Sequence, residues 1–320
     1  MDLHHPHDKF FRSYFSRPEV LGNFLQTYLP PDVVQVVDWN SLQVESGTYI
    51  DEDHREHFSD LAARVEIQGK PGRVYILVEH KSYNDKWALL QILRYMVQTW
   101  ERDAKNNPKE PLRPIIPLLF YHGKPVKIKE NLADLFDSNI PEALKDYQPH
   151  FLCEIFNLTG LPDSQIQGNA EVEAALWAMK HNHTQIELAL RAFDRLASTL
   201  GRVFVEMPGF REIELYLLST TDLTVEQILD KINKELQNSF LREDIMTTAE
   251  QLLQKGRQEG LERGWQQGRQ EGRQEGRQEG RQEGVQEGVL KMAKIMKDSG
   301  MTVEKICQLS GLSEEVVKAL

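Results

Sequence analysis

The chain has 320 residues, of which 40% are hydrophobic and 27% charged, enough apolar content and length for two or three domains with a sizeable core. Its two cysteines, Cys153 and Cys307, lie far apart without metal-ligand spacing, which excludes a disulfide framework and points to a reducing compartment. No stretch approaches the ~18 consecutive apolar residues of a membrane span, and Met1 to Phe10 lacks the apolar core of a signal sequence, so a cytoplasmic protein with no membrane contact is expected.

Asp8 to Phe15 carries apolar residues at 10, 11, 14 and 15 and reads as a helix. Pro18 opens a second helix with Val20, Leu21, Phe24, Leu25 and Tyr28 at helical spacing, ended by Pro30-Pro31. His4, His5 and His7 read as an exposed, disordered cluster rather than a metal site. Leu42 to Glu45 alternates as a strand, and Ser59 to Ile67 is a second. Gln68-Gly69-Lys70-Pro71-Gly72 is a turn by its Gly and Pro content. Val74 to Val78 is an unbroken apolar run, a buried strand that leads into Glu79, His80 and Lys81.

Side chains alternate along a strand, so Glu79 and Lys81 share a face. A turn centred near Lys70 and Pro71 makes cross-strand partners sum to about 141 by hairpin geometry, which brings Asp60 beside His80 and Lys81. Two converging carboxylates, Asp60 and Glu79, can hold Mg²⁺, a hard cation that takes oxygen ligands. The His80 backbone carbonyl is a reasonable third ligand. Such a metal activates a bound water and polarises a phosphate, while Lys81 orients that water or offsets charge on the phosphorane. Glu66 and Glu101 are weaker candidate ligands. An ion pair between Asp60 and Lys81 with no catalytic role is the structural alternative.

Asp85 to Asp103 forms a long helix, Ile115 to Tyr121 a further apolar strand, and Phe151 to Leu158 another, with a short helix near Asn131 to Phe136 between them. Helices follow at Glu171–Asn182, Thr184–Leu200, Phe210–Leu218 and Thr224–Leu236, the last opened by a capping box of Thr224 and Gln227. His181-Asn182-His183 reads as a polar turn at a helix end, without partners. The net charge of −11 does not announce a nucleic-acid binder, but from His80 to Glu130 ten Lys/Arg face five Asp/Glu, a local excess where phosphates would need it.

Asp60 followed by Glu79-His80-Lys81 at the end of an apolar strand resembles the PD-(D/E)XK nuclease core, with Ser59 in place of the motif's proline. Gln91 and Tyr95, four apart on one helix face, are similar to the Gln-x-x-x-Tyr element of its RecB-type members. His7-Asp8-Lys9-Phe10-Phe11, Leu29-Pro30-Pro31, Ser59-Asp60-Leu61, Val78 to Ser82, Leu93 to Met96 and Tyr121-His122-Gly123 resemble the Rpn (YhgA-like) recombination-promoting nucleases, also called transposases, over roughly residues 5–255. The resemblance implies an α/β restriction-endonuclease-like core, a mixed central sheet flanked by helices, with a C-terminal helical extension. It also implies a Mg²⁺-dependent DNA endonuclease of low sequence specificity, with Mn²⁺ or Ca²⁺ as alternatives, acting in recombination or mobile-element defence. Asp60, Glu79, Lys81, Gln91 and Tyr95 would be its catalytic residues and DNA its partner. Many family members carry Gln at the Lys81 position; Lys is the residue of the wider superfamily, so this departure favours activity. A degenerate site kept for DNA binding or assembly is the alternative.

Glycine recurs every fourth residue from Gly256 to Gly288, mostly as Arg-Gln-Glu-Gly. Nine glycines cost about 1 kcal/mol each in a helix, and Arg269, Arg273, Arg277 and Arg281 stack like charges at i, i+4. The tract is therefore either a flexible or partly helical linker or a self-associating helix that would make the chain a homo-oligomer. Thr302 to Val317 reads helix, Gly turn, helix, which fits a helix-turn-helix; Glu314 and Glu315 at the start of its second helix favour a docking or dimerisation module over a DNA reader. The expected domains are a nuclease domain (1–160), a helical extension (161–250), the repeat tract (251–288) and a C-terminal hairpin (289–320).

Overall fold

The structure, a computed structural model, describes residues 6–45, 48–50, 56–58, 61–68, 73–137, 139–182 and 185–320. It divides into two compact units, Met1–Glu250 and Gln251–Leu320.

The first unit opens with three helices, α1 (Pro6–Phe15), α2 (Pro18–Tyr28) and α3 (Pro31–Val36). Pro18 sits at the start of α2, where its missing N–H costs nothing. Pro30 and Pro31 do end α2, but Pro31 also opens α3, a short helix that the expected terminator concealed. Then come β1 (Val37–Glu45), β2 (Thr48–Ile50), β3 (Glu56–Phe58), β4 (Leu61–Ile67) and β5 (Arg73–Lys81), followed by α4 (Ala88–Asn106) and β6 (Ile115–Tyr121). The region expected to hold a short helix near 131–136 is a single 3-10 turn, Leu132–Leu135. After α5 (Glu142–Lys145), β7 (Glu154–Asn157) completes the strands.

The main sheet has the order β1-β4-β5-β6-β7. Its β1/β4 and β4/β5 pairs are antiparallel, and β5/β6 and β6/β7 are parallel, so the fold is mixed α/β. The strands β2 and β3 form a separate antiparallel pair. The β4–β5 hairpin pairs Leu61 with Val78 and Glu66 with Arg73, so partners sum to 139 rather than about 141. The centre of the pairing thus falls one residue earlier than Lys70-Pro71 suggested, and the turn residues 69–72 themselves lie outside the described residues. A shift of two in the sum keeps every side chain on its expected face.

Helices cover both faces of this sheet. Phe120 and Leu119 are neighbours in β6 and point oppositely. Phe120 meets Phe11 and Phe15 of α1 and Phe24 of α2 at ring-centroid distances of 4.9, 5.8 and 5.5 Å. Leu119, with Ala62 of β4, packs against Leu89, Ile92, Tyr95 and Met96 of α4. Each large apolar side chain sealed this way contributes roughly 1.5–3 kcal/mol, which fixes the two helical layers on the sheet.

The rest of the unit is helical: α6 (Ala170–Lys180), α7 (Ile186–Leu200), α8 (Val203–Glu206), α9 (Phe210–Thr220), α10 (Val225–Glu235) and the start of α11 (Ser239–Asp298). Thr224 and Gln227 form the expected capping box, with Thr224 N–H donating to Gln227 Oε1 at 2.9 Å and Gln227 N–H to Thr224 Oγ1 at 3.4 Å. In the second unit α11 is followed by α12 (Val303–Ser310) and α13 (Glu314–Ala319). Ala293, Ile306 and Val317 are fully buried and make a small core of their own. Gly311 stops α12 at a φ of 73°, a left-handed conformation that glycine takes without a Cβ penalty. The Arg-Gln-Glu-Gly tract is helical throughout, as part of α11.

Candidate active site

The parallel pair β5/β6 ends at Lys81 and Tyr121, which are register partners. Glu79 and Lys81 are 3% and 7% exposed, so their charges must be compensated locally. Lys81 Nζ lies 3.0 Å from Glu79 Oε1. It donates to Gln91 Oε1 of α4 at 2.8 Å, and Asp85 Oδ2 is 3.4 Å away. Gln91 Nε2 in turn donates to Tyr95 OH at 2.6 Å. The helical spacing of Gln91 and Tyr95 sets them one turn apart on the α4 face that covers the sheet. Burial works to lower the pKa of Lys81, but the charge and hydrogen bond of Glu79, with Tyr83 and Asp85, hold it above the ordinary lysine range. Lys81 is therefore a fixed cation, suited to a phosphate or an oxyanion and unsuited to general-base work.

Of the residues expected from sequence, the structure thus joins Glu79, Lys81, Gln91 and Tyr95 into one chain of contacts. Asp60, with Ser59, lies outside the described residues. Glu66 pairs with Arg73 at the opposite end of the hairpin from Val78, and Glu101 is exposed on α4 ten residues beyond Gln91, so neither joins Glu79. Among the described residues no group of three or more His, Cys, Asp and Glu could hold a metal ion. The carboxylates of Glu79 and Asp85 are nevertheless hard oxygen donors of the kind Mg²⁺ takes.

The sequence reading missed Asp85. The sequence places it in the first turn of α4, but that helix starts at Ala88. Asp85 instead closes the preceding turn, where its Oδ1 accepts from Trp87 N–H at 2.9 Å and its other oxygen faces Lys81. Lys127 and Lys129, part of the local cationic excess in the sequence, line a cleft of about 110 Å³ with Lys86 and Lys81. The cationic excess noted between His80 and Glu130 is thus partly gathered at the site. Gly123 follows β6 where the backbone is crowded: a Cβ there would lie 2.8 Å from the carbonyl oxygen of Ser82 and 2.6 Å from Tyr121 OH. Glycine is what lets the exits of β5 and β6 run side by side.

His80 points to the other face of β5. Its ring stacks on Phe11 at 4.5 Å and on His122 at 4.7 Å, and its Nδ1 lies 3.1 Å from Asp8 Oδ1. His7 is half-buried in α1, with its Nδ1 2.8 Å from Tyr216 OH and its ring 5.2 Å from His122. It is not part of an exposed, disordered cluster, because α1 begins at Pro6 and carries it into the helical layer. His4 and His5 lie outside the described residues. His181 and Asn182 do form a turn at the end of α6, but they have partners: His181 Nε2 is 3.2 Å from Asp163 Oδ1, and Asn182 Nδ2 donates to Tyr216 OH at 3.1 Å. His183 lies outside the described residues.

A buried carboxylate–ammonium pair at the end of a parallel strand pair, with a basic cleft beside it, defines an α/β protein with a candidate phosphate-handling site. Residues 5–205 match the family described as "Putative transposase, YhgA-like", and the chain belongs to that family. Recombination-promoting nuclease RpnA of Escherichia coli (strain K12) is 27% identical over 318 residues, 98% of this chain and 96% of the relative. Recombination-promoting nuclease RpnD of Escherichia coli O157:H7 is 28% identical over 250 residues, 77% and 94% of the two chains. An inactive recombination-promoting nuclease-like protein, RpnE of Escherichia coli (strain K12), is 28% identical over 262 residues, 79% and 83% of the two chains. No solved structure matches the chain. Among the described residues no helix is long and apolar enough to cross a membrane.

Proposed function

We infer that the chain is a Mg²⁺-dependent DNA endonuclease of low sequence specificity, built on a PD-(D/E)XK core and acting in recombination or mobile-element defence. The observation that carries this reading is the buried contact chain Glu79–Lys81–Gln91–Tyr95 at the ends of β5 and β6. Membership of a family whose relatives are named recombination-promoting nucleases supports it. Glu79 and Asp60, with the His80 backbone carbonyl, would hold the Mg²⁺, for which Mn²⁺ or Ca²⁺ could substitute. When bound, the metal supplies Lewis acidity at the phosphate and a more acidic water.

The protein's own residues do the rest. Lys81 keeps its positive charge and offers it to the developing charge of the phosphorane. Gln91 takes up one donor of Lys81 and so fixes where the ammonium sits; Tyr95 fixes the Gln91 amide. A second reading, a degenerate site kept for DNA binding or assembly, is favoured by the relative named inactive, at 28% identity.

The test is plasmid nicking by the purified full chain, with Mg²⁺ and with EDTA. Nicking that needs Mg²⁺ and is lost in Asp60→Ala and in Glu79→Gln supports the enzyme. Equal nicking by wild type and these variants refutes the assignment, and no nicking alongside retained DNA binding selects the second reading.

A further inference from the structure

The site is flanked by large aromatic side chains in the open, and these have no part in the contact chain just described. Tyr83 is 59% exposed and Trp87 49%, and Leu90, on the next turn of α4, is 45% exposed. Single exposed apolar residues are ordinary. These three are grouped on the two clefts that adjoin at the Lys81–Gln91 hydrogen bond. The first cleft, lined by Lys81, contains Tyr83 and the lysines at 86, 127 and 129. The second, of about 400 Å³ and lined by Gln91, contains Trp87, Leu90 and Arg94. Cations already sit against both rings: Lys81 Nζ is 5.6 Å from the Tyr83 centroid, and Lys86 Nζ is 4.6 Å from that of Trp87.

Resting on the nuclease reading above, we propose that this site takes DNA whose bases are unpaired next to the scissile phosphate. Tyr83 and Trp87 stack on those bases, and Lys127 and Lys129 hold the adjoining phosphates. Cations interleaved with aromatic rings are what a single strand needs, because its phosphates and its base faces are both available. In a duplex the base faces are covered by neighbouring pairs, and Tyr83 and Trp87 would have to wedge between them. Lys127 and Lys129 are two residues apart on the segment after β6, so they present a pair of charges along one strand. Lys129 also donates to the Asp134 backbone carbonyl, which anchors it there. No base edge is read, which agrees with low sequence specificity.

Anisotropy titrations of the full chain in EDTA, where nothing is cut, test this with labelled single-stranded, forked and blunt duplex DNA of one sequence. The wild type is expected to bind the single strand and the fork at least tenfold more tightly than the duplex. Tyr83→Ala with Trp87→Ala should lower single-strand affinity roughly tenfold or more and leave duplex affinity unchanged. Lys127→Ala with Lys129→Ala should weaken all three forms and reduce the slope of affinity against salt by about 2 in units of phosphates contacted. Both aromatic residues are exposed, so their removal leaves the core intact. Equal wild-type affinity for single strand and duplex, a preference that survives the aromatic double variant, or no binding to any form would each overturn the proposal. A preference that is lost in that variant, in a protein that never cuts with Mg²⁺, would support this binding mode and sink the nuclease reading alone.

Discussion

Two neighbouring positions of β5 lead opposite lives. Lys81 turns toward α4, where its ammonium meets Glu79, Gln91 and Asp85 at the edge of an open cleft. His80 turns toward α1, where its side chain is wholly buried against Phe11 and His122 with Asp8 at its Nδ1. Both are polar groups at the end of one strand, and both have polar partners. The difference lies in what surrounds them. Around Lys81 the partners are charges and amides next to open space, which leaves a fixed cation within reach of a ligand. Around His80 they are aromatic rings and a carboxylate that tie α1 to the sheet. On the proposed function, chemistry belongs on the first face and clamping on the second.

The sharpest way to break this comparison is to remove one charge from the Lys81 face while keeping its shape. Glu79→Gln is expected to lower nicking by at least about 100-fold per folded molecule, as removal of a preorganised electrostatic group does, and to lower the melting temperature as well, because it leaves the buried Lys81 ammonium without its main counter-charge. On the other face His80→Ala should cost about 3 kcal/mol of stability through the cavity it leaves, measured by urea denaturation. Its activity should fall only as far as the folded fraction falls. A His80→Ala protein that is fully stable yet inactive would put chemistry on the wrong face.

That the two faces differ was legible in the sequence, since strand alternation separates residues 79 and 81 from residue 80 whatever the register. The helix α4 and the spacing of Gln91 and Tyr95 were legible for the same reason, a period that shows along the chain. What decides the site's surroundings was not. The hairpin register came out two residues off in its sum because Gly and Pro mark a turn without marking its centre. Asp85 was hidden inside a helix that starts three residues later. Lys127 and Lys129 lie more than forty residues from Lys81, and His7 and Asp8 more than seventy from His80; no local pattern links them, and only the stacking of β6 and α1 on β5 does.

A third buried charge sharpens the contrast, because here burial prevails. Glu214 of α9 is 1% exposed, with Thr248 Oγ1 donating to its Oε2 at 2.9 Å and Arg211 Nη1 3.4 Å away. Burial, with the charge of Asp244 adding to it, pushes its carboxyl up to about 8. Lys81 keeps its charge when buried because Glu79 opposes it; Glu214 gives its charge up. Between the unfolded carboxyl's ordinary range and about pH 8 the native state holds a proton that the unfolded state lacks. Stability should therefore fall as pH rises from about 5 to about 8, by roughly 1 kcal/mol per pH unit, and level off above. Glu214→Gln should flatten that slope in denaturation curves measured across the window. An unchanged slope would mean that another group carries it.

The smallest effect is expected in the glycine tract, where the contrast is between a buried site and a surface that a single chain leaves empty. A Cβ built on any glycine from Gly256 to Gly288 meets nothing within 4 Å, so no contact in this chain requires glycine there. Within the repeat, Arg and Glu stand two positions apart, which puts them on opposite sides of the helix and prevents the pairs at i, i+4 that stabilise lone helices. Self-association, which we propose for the tract, would set the Arg row of one copy against the Glu row of another. A spacing of four residues advances the glycine stripe by about 40° per repeat on a helix of 3.6 residues per turn, so straight helices could share only a few successive glycines. Gly272→Ala, Gly276→Ala and Gly280→Ala together are expected to add about 1 kcal/mol of helix stability each, seen as raised helicity by circular dichroism. If the stripe is where copies meet, the same triple variant weakens the assembly in sedimentation equilibrium even as its helix strengthens. Greater helicity with an unchanged mass would remove the glycines from any interface and leave the tract a spacer.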